Sequence, residues 1–462
     1  MRSAWLALAL LSACGAGGDA SGRPRNVVLI SIDTLRPDYL GCYDPARETS
    51  PVLDALAAEG VRFAHVTAAS PWTLPSHASM LTGLYPNHHG VRTHETRLSD
   101  KVVTLAEEFK ARGFETFAVV NTHNVGGEQF QLLQGFDAKD WRYIDETRED
   151  PALLQLKTIN CGDNVILTAK EMLRARDESK PFFLFLHFYD VHTDFTAKKE
   201  FQDQFVEPYA GRLTGSTTQL VDVRKKEERL ADADVRWLEQ MYEAEIRQLD
   251  ELLGRFFGWL DEEDVGDETL FVITSDHGEE FQEHGSVLHG RTYYEEVIKI
   301  PLLLKGPGLP AGKVVETPAH HVDIVPTILA VVGLPSSQER DGLDLSPTWS
   351  GGTIPERTLF SEADHNNRID GVDVHDIVKM ARRGSSKLVL DTRRERRELY
   401  DLATDPREER DLAGGSDARL GELEAELTRF LAGAVTPETV APPTAEEQAK
   451  LDALGYGGSK DE

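Results

Sequence analysis

The stretch Ser70-Pro71-Trp72-Thr73-Leu74-Pro75-Ser76-His77-Ala78-Ser79-Met80-Leu81-Thr82-Gly83 decides how this chain is read, and its centre is a threonine in the context Thr-Leu-Pro-Ser. In that context Thr73 reads as a residue that caps a helix. The same position also suits chemistry, because the positive end of a helix favours an anionic ester. The β-branch limits the rotamers of Thr73 and helps keep its oxygen aimed in one direction. The two roles are compatible.

Working outward, continuous apolar runs recur from Asn26 to Asp33, Phe117 to Val120, Pro181 to Phe188, Thr269 to Asp276 and Ile300 to Leu304, with helical segments between them. Such runs predict a parallel-type sheet covered on both faces, hence an α/β fold. Ser50 as N-cap, Pro51, Leu53 and Leu56 on one face and Gly60 past the end mark one helix. Trp237, Met241, Tyr242, Ile246, Leu249, Leu252, Leu253, Phe256 and Phe257 mark a second, long and amphipathic, whose aromatic residues pack the core. From about Asp194 to Asp234 the chain is polar with few apolar anchors, which predicts a surface excursion acting as a lid over the site. After about Pro355 the segments shorten, with strands at Lys387 to Leu390 and Glu398 to Leu402 and a helix from Asp417 to Leu431.

Two of the strands end in residues of metal-ligand type, where open α/β sheets keep their sites. Asp33 follows the first, and Asp276 and His277 follow the fourth. Together they form an oxygen-rich site with one nitrogen ligand. A hydroxyl on a divalent cation loses its proton readily, so Thr73 bound to one could act as a nucleophile near neutral pH. Asn121 and His123, Asp190 and His192, and His284 and His289 also follow strands. These histidines can bind ester oxygens, protonate a leaving group or ligate a second metal.

The chain has 462 residues, 40% of them hydrophobic, enough for one large domain and a small one. Its 79 acidic and 50 basic residues give a formal charge of −29, which argues against nucleic acid or an anionic membrane as partner. Arg2, the apolar run from Trp5 to Leu11, and Leu11-Ser12-Ala13-Cys14 resemble a bacterial lipoprotein signal, too short to span ~30 Å of hydrocarbon. The expectation is export, with lipidation of Cys14 holding the protein at a membrane surface in the cell envelope, periplasmic or external. Cys42 and Cys161 are too few for a disulfide framework. The expected organisation is a signal peptide over 1–13, a tether over 14–25, a catalytic domain over 26–354, a C-terminal subdomain over 355–434 and a polar tail over 435–462, with Pro437 to Pro443 as a loose linker.

These motifs together resemble the sulfatase family of the alkaline phosphatase superfamily. The likeness runs from Asn26 to about Leu412 through Val27 to Tyr43, Thr73 to Gly83, Ser275 to Gly278, Pro301 to Gly308, His321 to Leu334, Glu398-Leu399-Tyr400-Asp401-Leu402 and Asp405-Pro406. It implies an alkaline-phosphatase-like sandwich with a mostly parallel central sheet, a small C-terminal sheet-and-helix subdomain, and a divalent ion, calcium first, with manganese or zinc as alternatives. By position it implies metal ligands at Asp33, Thr73, Asp276 and His277, although the family often has a second acid at Thr34 and Asn at His277. The family's C/S-x-P-x-R segment has a Cys or Ser, oxidised to formylglycine, where this chain has Thr73; the same oxidation of threonine would give a ketone. His77 stands where the family has an arginine, and Asn121 and His289 stand where it has lysines. His123 and His192 keep family histidines.

The implied roles are catalytic for Thr73, His77 and His123, and substrate-binding for Asn121, His192 and His289. Loss of fixed positive charge favours phosphoester or phosphodiester cleavage through a phosphothreonine over sulfate cleavage, with a second metal at Asp190, His192 and His289 restoring charge. The substrate is a sulfated or phosphorylated small molecule, glycan or lipid. Two alternatives accompany this reading: a transferase of phosphoryl-linked headgroups to envelope glycans or lipids, and a non-catalytic binding lipoprotein that keeps the fold.

Overall fold

The computed structural model describes residues 22–140, 161–365, 367–369 and 372–440. The expected signal segment, Cys14 and most of the expected polar tail lie outside these residues. Among the described residues eight strands form the central sheet. From edge to edge they run Lys313–Val315, Val61–Phe63, Leu302–Lys305, Thr269–Thr274, Asn26–Ile32, Phe182–Phe188, Glu115–Val119 and Ala138–Asp140. Only Leu302–Lys305 opposes its neighbours, so the sheet is mostly parallel as the apolar runs predict. The predicted run from Ile300 to Leu304 is divided at Pro301, which offers no N–H to a ladder. Lys299–Ile300 pairs instead with Val66–Thr67 in a separate three-stranded sheet.

The period-2 alternation of the central strands sorts their residues between two cores. Val27, Leu29, Phe183, Phe185, Leu270 and Val272 face one side with Leu74 and Ala78 of the helix Thr73–Thr82. Val28, Ile30, Leu184, Leu186, Phe271 and Ile273 face the other with the 31-residue helix Asp232–Glu262. On the first face the apolar series ends in Ser31 and His187, which lie side by side in register. The sheet therefore presents polar groups to the head of the Thr73 helix. Gly60 is required where it is, because a Cβ there would come within 2.1 Å of the Leu304 carbonyl oxygen.

The excursion from Asp194 to Asp234 is better anchored than its composition suggests. Phe195, Leu213, Leu220, Val223 and Leu230 are all buried in the second core. Its helix Thr217–Lys225 carries Arg224, whose Nη1 donates to the His289 carbonyl at 3.0 Å. The C-terminal part holds an antiparallel sheet ordered Leu359–Ser361, Val378–Arg383, Ser386–Asp391 and Arg396–Asp401, covered by the helix Ala418–Leu431. Asp417 caps that helix by accepting from Arg419 N. Within the predicted linker, Glu438–Thr439 pairs with Thr96–Arg97 as a short strand, and Arg97 Nη2 meets Glu438 Oε2 at 2.7 Å.

Candidate active site

Thr73 is the first residue of its helix and is fully buried. Its segment is fastened on several sides. The Ser76 hydroxyl donates to Ser70 O at 2.8 Å, the Ser70 hydroxyl donates to Ala363 O at 3.1 Å, and the Trp72 indole also donates to Ala363 O. His321 joins this segment to the strand end that carries Asp276, since its Nδ1 accepts from Ala69 N at 3.1 Å and its Nε2 donates to Ser275 O at 2.8 Å.

Asp33, Asp276 and His277 converge as the sequence implies, with one ligand atom from each lying within 4.8 Å of the others. Thr73 Oγ1 lies 3.4 Å from His277 Nε2, which is 3.3 Å from Asp276 Oδ2 and 3.8 Å from Asp33 Oδ1. The Asp276 Oδ1 accepts from Thr34 N and His277 N. Its Oδ2 and both oxygens of Asp33 have no hydrogen-bond partner among the described residues. Buried carboxylate oxygens left without donors are costly, and a cation satisfies them. The donor set fits a divalent ion. Thr34 is not part of it: its backbone is left-handed at φ 57°, and its hydroxyl donates to Val191 O.

Electrostatics follow from burial and crowding. Burial, then the Asp276 charge, pushes Asp33 up to about 7. Burial opposes ionisation of Asp276 too, but His277 outweighs it and holds Asp276 well below the usual carboxylate range. His277 is raised to about 9, because Asp276 and Asp33 overcome the burial that works against its charge.

The structure separates the other expected residues. His77 joins the site: its Nδ1 is 2.8 Å from Thr73 O and its Nε2 3.0 Å from Ser31 Oγ. Asn121 is present through His187, whose Nδ1 meets Asn121 Oδ1 at 3.0 Å. His289 packs on His277 with ring centres 4.3 Å apart, and its Nδ1 faces the two oxygens of Glu279 at 3.2 and 3.3 Å. His192 lies beside His289 at 5.0 Å and stacks on Tyr189. His123 is half-buried, with Nε2 2.7 Å from the Gln129 amide nitrogen. His284 is elsewhere, paired with Glu296 at 2.5 Å and stacked on Tyr294 near the C-terminal subdomain.

The expected second cluster of Asp190, His192 and His289 is not what gathers. Asp190 Oδ1 accepts from Gly162 N at 2.9 Å, at the head of the helix Cys161–Arg174. Among the described residues the second group with ligand atoms within 4.8 Å is His77, His187 and Asp276. His187 and Glu279 are thus site residues that the sequence reading passed over. The signal for His187 was a lone histidine inside the buried strand Phe-Phe-Leu-Phe-Leu-His-Phe, where an unpaired imidazole has no structural use.

The chain is similar to known proteins over most of its length. The sulfatase family model matches residues 25–334, and the C-terminal model of N-sulphoglucosamine sulphohydrolase matches residues 282–434. The Delta 4,5-hexuronate-2-O-sulfatase of Bacteroides thetaiotaomicron is 25% identical over 472 residues, covering 92% of this chain and 92% of its own. A solved structure in complex with its substrate D-glucosamine-2-N,6-O-disulfate superposes with TM-score 0.71 at 20% identity, over 89% of this chain and 98% of the other. The phosphonate monoester hydrolase of Agrobacterium radiobacter superposes with TM-score 0.70 at 22% identity, over 91% of this chain and all of its own.

Proposed function

Since the chain belongs to the sulfatase family, we propose that it is a metal-dependent hydrolase of sulfate or phosphate esters in which Thr73 takes the place of the family's formylglycine. The observation that carries this reading is the Thr73 hydroxyl, 3.4 Å from His277 Nε2 beside two Asp33 oxygens that lack a hydrogen-bond donor among the described residues. A divalent cation bound there would lower the pKa of the threonine hydroxyl and offset the charge of the ester. Asp33, Asp276 and His277 would hold it.

Thr73 Oγ1 bonds to sulfur or phosphorus as the bond to the bridging ester oxygen breaks, and the alcohol departs with a proton. Water then displaces the threonine oxygen, releasing sulfate or phosphate. Glu279, whose carboxyl burial pushes up to about 7, supplies the proton in this reading through His289, which burial holds well below the usual imidazole range. In this reading His192, Asn121 and His123 serve the ester in the roles that the family resemblance implies. The neutral or titratable groups at His77, Asn121 and His289 favour phosphorus over sulfur, because sulfatases of the usual pattern put arginine and lysine there. The relatives that act on sulfated sugars make an anionic sugar ester the first substrate class to try. Export and lipid attachment at Cys14 belong to the same proposal.

The test is turnover of an aryl sulfate, a phosphate monoester and a phosphodiester by purified protein supplied with calcium, manganese or zinc. Turnover lost in Thr73→Ala supports the reading. No cleavage of any of the three with any of the supplied metals, together with no metal in the purified protein, refutes it, and preferred cleavage of aryl sulfate overturns the preference for phosphorus.

A further inference from the structure

His187 is fully buried in a strand that is otherwise apolar, so both of its ring nitrogens need partners. Nδ1 meets Asn121 Oδ1 at 3.0 Å, and because that oxygen only accepts, Nδ1 carries the proton. Nε2 therefore presents a lone pair. It stands 3.3 Å from Asp33 Oδ2, yet neither atom takes part in a hydrogen bond. Two lone pairs facing each other in a water-free interior repel, unless something positive lies between them.

His277 repeats the arrangement on the other side. Its Nδ1 donates to the Gly278 carbonyl at 2.9 Å, which turns Nε2 toward Asp33 and Asp276, where a cation would take the place of the proton that their charges favour. A ring N–H held by an outer partner, with the second nitrogen aimed at carboxylates, is the arrangement that orients metal-ligating histidines. His77 differs from both, because Ser31 and Thr73 O occupy its two nitrogens. It positions the nucleophile and does not ligate. The candidate donors are the imidazoles of His187 and His277, the carboxylates of Asp33 and Asp276 and the Thr73 hydroxyl; His187 groups with Asp276, and His277 with Asp276 and Asp33, so Asp276 is common to both clusters and Asp33 also stands 3.3 Å from His187.

We infer that His187 is a metal ligand and that the ion is of the zinc class, cobalt and iron(II) included, in place of calcium. The inference rests on the proposed metal-dependent reading of this same site. Calcium prefers six to eight oxygen ligands, whereas neutral imidazole suits zinc and its neighbours. Asn121 is then a positioning residue that holds the His187 tautomer, which gives its place in the site a use.

The experiment is metal binding by the full chain after chelator treatment, with zinc, cobalt(II) and calcium as probes. One zinc per chain should bind and resist millimolar calcium, and cobalt should give visible d–d bands. X-ray absorption of the zinc-loaded wild type should count two imidazoles, a readout that needs no variant. His187→Ala should weaken zinc by at least about tenfold, and Asn121→Ala by about 10- to 100-fold. A first shell of oxygens alone, zinc displaced by millimolar calcium, or no binding of any of the three overturns the inference. Ester turnover supported only by calcium would overturn it while leaving the proposed activity standing. Zinc held by two imidazoles in a protein that cleaves no ester would do the reverse.

Discussion

His77 Nδ1 lies 2.8 Å from the carbonyl oxygen of Thr73, one helical turn before it, while its Nε2 takes the hydroxyl of Ser31 at 3.0 Å. The imidazole thus ties the helix that carries the nucleophile to the strand that ends in Asp33. Burial pushes its pKa down to about 3, so it does this uncharged. His77→Ala should strand the buried Ser31 hydroxyl, at a cost of about 1–3 kcal/mol in urea denaturation. It should lower kcat more than it raises KM and leave the limbs of the pH–rate profile between about pH 5 and 9 in place, since a group neutral across that range has no proton to contribute. A lost limb would assign His77 a proton-transfer role.

Thr73→Ala should reduce kcat by about a thousandfold or more, with cooperative unfolding retained. Thr73→Ser should keep measurable turnover, because the hydroxyl survives while the rotamer restriction of the β-branch is lost. Quenched reactions read by mass spectrometry should show the ester group on the peptide containing residue 73 in wild type. Its absence together with near-normal rates in Thr73→Ala would move the nucleophile elsewhere.

The residues legible in the sequence are those at element ends. Asp33, Thr73, Asp276 and His277 each follow or begin a strongly patterned segment, so their convergence follows from the order of the strands. His187 stands out as a lone histidine in an apolar strand, but its place in the site was not legible, because that depends on register: only the pairing of Ser31 with His187 brings it beside Asp33. Asp190 was misassigned for a related reason, since its partner Gly162 comes from a distant helix terminus that no local pattern announces. The excursion after Asp194 concealed its anchors because Phe195, Leu213, Leu220, Val223 and Leu230 follow no period.

The fully buried Lys387 joins the two parts of the chain. Its Nζ lies 2.9 Å from Glu295 Oε1 and 2.7 Å from Glu408 Oε1. Burial works against its charge, and the two carboxylates raise its pKa in spite of that. Lys387→Met leaves Glu408 buried without its counterion and Glu295 with Arg382 alone, at 3.6 Å, which should cost about 3–5 kcal/mol. The triple variant with Glu295→Gln and Glu408→Gln should recover most of the loss. Thermal unfolding of the two variants measures the difference, and equal stability would mean that the lysine acts through packing alone.

Cys14→Ser should move the protein from the membrane fraction to the soluble exported fraction in its native host, because a short apolar segment without acyl chains does not anchor stably. Fractionation with immunodetection reads this directly, and unchanged membrane retention would reject the lipid anchor.

Glu280 gives the stability a pH dependence with a definite sign. Its side chain is buried, Oε2 accepts from the Thr292 hydroxyl at 3.0 Å, and Oε1 has no hydrogen-bond partner among the described residues. Burial first, and the nearby Glu296 charge second, push its pKa from 4.5 up to about 8. Between those values the folded chain keeps a proton that the unfolded chain has released. Folding therefore binds protons in this window, and Glu280's contribution is fully present below about pH 4.5 and lost as pH rises toward 8. One proton corresponds to about 1.4 kcal/mol per pH unit, so the whole window is worth on the order of a few kcal/mol. Glu280→Gln carries a neutral amide of similar shape, and its urea stability should fall less steeply between about pH 5 and 8 by close to one proton. An unchanged slope would place that proton on another group, Asp364 being the first to examine, since burial raises its carboxyl to about 7.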